Sequence, residues 1–131
     1  MLTEDTASRS LGMQVEVISP GVCETRMTVR QDMVNGHNIC HGGFIFALAD
    51  SAFAFACNSY NEVTVAAGAS IDFLRPAKLG DELCARAAEV NRGKRSGLYD
   101  ISVHDSDKRL IAEFRGRSAS LGRPILPTES H

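Results

Sequence analysis

Charge of one sign, long apolar runs and paired cysteines are all scarce in this chain. Its 14 basic residues stand against 16 acidic ones, a net charge of −2 over 131 residues. That balance leaves no electrostatic footprint for duplex nucleic acid, so nucleic acid is not an expected partner. The longest apolar stretch, Phe44 to Cys57, falls short of the ~18 residues a membrane-spanning helix needs. Met1-Leu2-Thr3-Glu4-Asp5 is acidic and lacks the basic and apolar regions of a signal peptide, so the expected compartment is the cytoplasm. Cys23, Cys40, Cys57 and Cys84 form no CxxC pair. In a reducing compartment they read as small buried apolar residues. His37, Cys40, His41 and Cys57 match no usual zinc spacing, and neither metal nor cofactor is expected.

What remains is an ordinary globular composition, 44% hydrophobic and 23% charged, without repeats or low-complexity segments. A chain of this length forms one domain and buries roughly two thirds of its unfolded surface. The expectation is a single domain over 1–131, with flexible ends at 1–10 and at 123–131, the latter carrying Pro124 and Pro127.

Met13 to Ile18 is β-rich, and Pro20-Gly21 is a turn. Cys23, Thr25, Met27 and Val29 alternate with Glu24, Arg26, Thr28 and Arg30, as in a half-buried strand. Gln31 to Cys40 is a polar loop. Residues 41–58 read as one helix, apolar on nearly every side, opened by Gly42 and Gly43 and broken by Tyr60-Asn61-Glu62. Val63 to Leu74 is a long strand. Three further strands follow: one on Leu83, Ala85 and Ala87, one on Tyr99, Ile101 and Val103, and one from Leu110 to about Ser120. Turns fall at Lys78–Asp81 and Asp105–Lys108, and a basic loop at Asn91–Ser96. The order β-β-α-β-β-β-β with hairpin-sized turns gives an α+β fold with antiparallel pairing. One sheet covers only part of an all-apolar helix. The rest of its surface requires a second cover, and a homodimer is the expected one.

The single charge in that helix is Asp50. A carboxylate is costly to bury unpaired, so it is either locked in a hydrogen-bond network or kept for chemistry. Gly42 and Gly43 fall at the helix start, where unpaired N–H groups and the dipole favour a ligand oxygen; they form an oxyanion hole or a tight bend. His37 and His41 flank the loop. Asn35 precedes Gly36, which is turn chemistry, or it holds a water or carbonyl. Cys40 beside His41 is a weak thiol-nucleophile pattern. Arg92-Gly93-Lys94-Arg95-Ser96 is a solvated hairpin or an anion site. Phe44, Phe46, Phe53 and Phe55 either line an aromatic pocket or fill the core.

Asn35-Gly36-His37, Cys40-His41-Gly42-Gly43, Leu48-Ala49-Asp50, Asp72-Phe73-Leu74-Arg75-Pro76 and Gly80-Asp81 resemble the hotdog-fold acyl-CoA thioesterases, the phenylacetic-acid-degradation subgroup above all. The likeness runs from about Leu11 to Arg123. It implies a hotdog fold, one long central helix wrapped by a curved antiparallel sheet, paired into homodimers and usually tetramers. It implies hydrolysis of aryl-acetyl-type acyl-CoA at the dimer interface. There Asp50 of one subunit, as nucleophile or base, faces Asn35, His41 and Gly42 of the other. Ser70 is the expected assisting hydroxyl, and Gly43, Arg92, Gly93, Lys94 and Arg95 the expected CoA contacts. A non-catalytic acyl-CoA-binding protein and a hotdog hydratase are the alternatives.

Overall fold

Alternation in the sequence becomes two faces of a sheet. In β2 (Val22–Thr28) Cys23, Thr25 and Met27 are buried while their neighbours reach solvent in part or whole. The same period buries Leu83, Ala85 and Ala87 of β4 (Glu82–Arg92) and Tyr99, Ile101 and Val103 of β5 (Ser96–His104). With β1 (Gln14–Ser19), β3 (Thr64–Phe73) and β6 (Leu110–Ser120), they form one six-stranded antiparallel sheet in the order β1-β2-β4-β5-β6-β3. These elements come from a computed structural model, which describes residues 6–125.

Two short helices and a long one complete the fold. A single 3-10 turn spans Gln31–Met33, α1 spans Thr6–Ser10, and α2 spans Gly42–Cys57. α2 packs against every strand. It buries Ile45, Leu48, Ala49, Ala52, Phe53, Phe55, Ala56 and Cys57, each large apolar side chain contributing about 1.5–3 kcal/mol. Phe53 lies between Tyr99 and Phe114, with ring centroids 5.6 and 5.9 Å away, and Phe46 meets Phe114 edge-on at 5.2 Å. The buried Thr25 hydroxyl donates to the Leu48 carbonyl at 3.0 Å, pinning α2 to β2. Asn58 closes the helix: its Nδ2 donates to Ala54 O at 2.8 Å and to Thr64 O at 3.0 Å.

Three local features depart from the simple alternation. Val65 opposes Ala119 and Ala69 opposes Gly116, with Ala67 bulged out between them. β4 and β5 extend to Arg92 and from Ser96, so the basic segment is a tight turn, closed by Gly93 N–H donating to Ser96 O at 2.7 Å. Residues 6–10, expected loose, form α1, which lays a buried Ser8 on α2 with its Oγ 3.2 Å from Ser51 Oγ. At the other end Arg123 O accepts the Val63 N–H at 2.7 Å. Residues 1–5 and 126–131 of the expected flexible ends lie outside the described residues. Among those described, no helix is long and apolar enough to cross a membrane.

Candidate active site

The loop before α2 is closed by Asn35. Its N–H donates to Ile39 O at 2.9 Å, and its Oδ1 accepts from the N–H groups of His37 (2.9 Å) and Ile39 (3.2 Å). Asn38 takes a left-handed φ of 59°, a conformation asparagine tolerates. Cys40 N–H donates to Ala77 O at 2.7 Å, and His41 N–H to Met33 O at 2.9 Å. Asn35, His41, Gly42 and Gly43 are thereby gathered at the N-terminus of α2. Turn chemistry accounts for Asn35 Oδ1.

His41 precedes the helix in extended conformation (φ −61°, ψ 138°), and its side chain makes no capping hydrogen bond. The leading N–H groups of the helix have no intrahelical acceptor, and Gly42, at its positive end, lines a cleft. That cleft measures about 510 Å³ and is walled by Ile39, Cys40, Ile45, Phe73, Leu74 and Pro76. The Cys40 thiol beside it is 5% exposed, donates to His41 O at 3.4 Å and is pushed by burial up to about 11. A thiol so raised is no nucleophile at neutral pH.

Asp50 is half-buried and lies eight residues beyond Gly42, about 12 Å along the helix axis. It shares its side of α2 with the half-buried Ala47, Ser51 and Ala54 rather than with the buried Leu48, Ala52 and Phe55. One protomer therefore does not bring Asp50 to the Gly42 amide.

Ser70 lies elsewhere. It opposes Arg115 in the β3–β6 ladder, whereas Ile71 opposes the buried Phe114, so Ser70 occupies the sheet face turned away from α2. Asp72, Asp100, Glu113 and Arg115 share that face around it. The resemblance alone suggested Ser70; the ladder register sets its side of the sheet.

The basic turn sits at the opposite end of α2, beside Cys57. Arg92 is engaged there. Its guanidinium stacks 3.8 Å above the Tyr60 ring and its Nη2 lies 3.6 Å from Glu62 Oε2. Tyr60 OH donates to Glu89 at 2.6 Å, and Ser120 Oγ bonds Glu62. Lys94 and Arg95 instead line a cleft of about 780 Å³ together with Arg123. Sequence reading missed Arg123, which lies outside every motif, and Phe73, whose place on the helix side follows from its alternation with Ile71.

The helix phenylalanines resolve toward the core. Phe53 is 1% and Phe55 7% exposed, and Phe44 and Phe46 pack partly buried against the same cluster.

These elements place the chain among hotdog-fold proteins that act on thioesters. It belongs to the thioesterase superfamily, whose family model matches residues 37–112, and it is a thioester hydrolase. Over 125 residues it is 42% identical to the acyl-coenzyme A thioesterase PaaI of Escherichia coli (strain K12), covering 95% of this chain and 89% of that one. The solved structure of the E. coli PaaI protein from the phenylacetic acid degradation operon superposes with a TM-score of 0.93, covering 96% and 91% of the two chains. A mutant of the phenylacetic acid degradation protein PaaI from Thermus thermophilus gives 0.85 at 38% identity, over 89% of this chain and 100% of that one. A putative esterase of Archaeoglobus fulgidus is 34% identical over 128 residues, covering 98% of this chain and 83% of its own.

Proposed function

We propose that this chain is a single-domain cytoplasmic enzyme that hydrolyses aryl-acetyl-CoA thioesters, phenylacetyl- or hydroxyphenylacetyl-CoA, to free acid and CoA. The supporting relative is the E. coli acyl-coenzyme A thioesterase PaaI. The observation that carries the mechanism is the uncapped helix start at Gly42 with Asp50 two turns away on the same helix. Since about 12 Å separates them, the reacting pair comes from two copies of the chain. β3 is an edge of the sheet, with Val65 exposed, and an open edge is a template for a second strand. An antiparallel pairing there sets the N-terminus of one α2 near the C-terminal end of the other. Dimers of this kind pair into a tetramer.

In each site the thioester carbonyl oxygen accepts from Gly42 N–H, which stabilises the oxyanion as it forms. Asn35, through its Nδ2, and His41 position the acyl group and water. Asp50 of the second copy attacks the carbonyl carbon or takes a proton from an attacking water. The C–O bond forms, the C–S bond breaks, and CoA leaves as a thiolate of pKa about 8.5, so little acid assistance is needed. On the first route water then hydrolyses the Asp50 acyl anhydride to the free acid and regenerates the carboxylate; on the second Asp50 passes its proton to the thiolate or to solvent. Gly43 lets the pantetheine pass close to the backbone. Lys94, Arg95 and Arg123 meet the CoA phosphates, while Arg92, by neutralising Glu62, and Gly93, by closing the turn, shape that cleft. Ser70, on the far face of the sheet, contributes through the assembly rather than by touching substrate.

The test is CoA-thiol release from aryl-acetyl and straight-chain acyl-CoAs by wild type and Asp50→Ala, with a protein-only blank for the cysteines. Wild-type turnover should fall by ~10² or more in the variant, whose circular dichroism stays unchanged. Near-normal turnover by Asp50→Ala removes the carboxylate from the mechanism. Binding without turnover by wild type favours a non-catalytic acyl-CoA protein.

A further inference from the structure

Phe73 ends β3 with 52% of its surface exposed. Its ring tip rests on Gly42: a Cβ built there would lie 2.9 Å from Phe73 Cζ and 3.2 Å from Cε1. Glycine at 42 thus leaves room for an aromatic ring directly beside the helix N-terminus. The same ring forms one wall of the 510 Å³ cleft, whose other walls are largely apolar. The one cation on that cleft, Arg75, has its Nη1 donating to Leu110 O at 2.9 Å. A carbonyl oxygen bonded to Gly42 N–H therefore has its acyl carbons against an open aromatic surface. No phenylalanine of α2 offers one, since all four pack against the core.

We infer that Phe73 is a specificity-determining residue: its ring packs against the acyl group and favours an aryl-bearing chain over a short aliphatic one. The inference rests on the thioesterase reading and deepens it. Aromatic rings in contact prefer edge-to-face or offset geometry, and a ring held by its tip at Gly42 leaves its face and one edge available for such a contact.

The measurement is kcat/KM for phenylacetyl-CoA and for acetyl-CoA, by CoA-thiol release, in wild type, Phe73→Ala, Phe73→Leu and Phe73→Tyr. The phenylacetyl/acetyl ratio should fall roughly tenfold or more in Phe73→Ala, fall less in Phe73→Leu, and persist in Phe73→Tyr. Gly42→Ala pushes the ring aside, so the ratio should fall there too, and Gly42→Ala combined with Phe73→Ala should lower it no further than Phe73→Ala alone. Val17→Ala, an exposed apolar truncation on β1, serves as the control and leaves the ratio at its wild-type value. Should Phe73→Ala fail to fold, Phe73→Leu carries the comparison. A ratio unmoved in the Phe73 variants, with wild type active, overturns this inference and leaves the thioesterase reading intact. A wild type that releases CoA from neither substrate overturns both.

Discussion

Asp105 organises the β5–β6 hairpin through one carboxylate. Its Oδ1 accepts from the N–H groups of Asp107 (3.0 Å) and Arg109 (2.9 Å), and its Oδ2 from Arg109 Nε at 2.9 Å. These bonds hold the chain where Lys108 takes a left-handed φ of 63°. The Arg109 N–H first, and then its guanidinium, hold the Asp105 carboxyl below the ordinary value of 3.8. A carboxyl depressed on folding contributes stability above its unfolded pKa and loses it as pH falls through the folded one. Asp105→Asn should therefore melt below wild type at neutral pH, and the two melting curves should converge as pH drops under 3.8. A gap in Tm that is constant with pH contradicts this. Cys23 and Cys57, like Cys40, are raised by burial to about 11, so these three should contribute little to a blank with thiol reagents, which should come from the less buried Cys84.

Packing of α2 onto β6 turns on Gly116. A Cβ there would come within 2.8 Å of Phe53 Cε2 and Cζ. Phe53 is fully enclosed between Tyr99 and Phe114, so the ring cannot yield as an exposed one would. Gly116→Ala should cost about 1–3 kcal/mol in urea unfolding, the usual penalty of overpacking. β2, β4, β5 and α2 were legible because period-2 alternation and an all-apolar run are strong signals over seven to sixteen residues. α1, of five residues, is too short for periodicity to speak. The bulge at Ala67 was hidden because small residues surround it and alternation has no contrast there. The side of the sheet that Ser70 occupies was not legible either, since it follows from pairing with Arg115 and not from its own neighbours. Gly42 and Asp50 stood out in sequence because each contrasts chemically with the helix around it.

At the scale of the whole molecule the two ends of α2 hold different halves of the proposed site. The glycine start lies at one end and the basic turn at the other, about 22 Å away along the helix. Complementation tests this division. Gly42→Pro removes the amide donor at a first helical position, where the helix backbone accepts proline while its ring displaces the tip of Phe73. Neither Gly42→Pro nor Asp50→Ala should be active alone. Mixed and reassociated one to one, half the dimers are hybrids with one intact site each, and about a quarter of wild-type activity should return. No recovery on mixing, with hybrids verified by mass spectrometry, means that each protomer reacts alone.

Ala67 has no counterpart on β6, so β3 is one residue longer than its pairing requires. A lineage that loses that codon keeps Thr64 opposite Ser120 and Phe73 opposite Ala112. A one-residue deletion, which in most paired strands turns a whole side chain set inside out, is absorbed at this point. The strand that presents Phe73 to the cleft can thus shorten by one residue among descendants while the ring keeps its place.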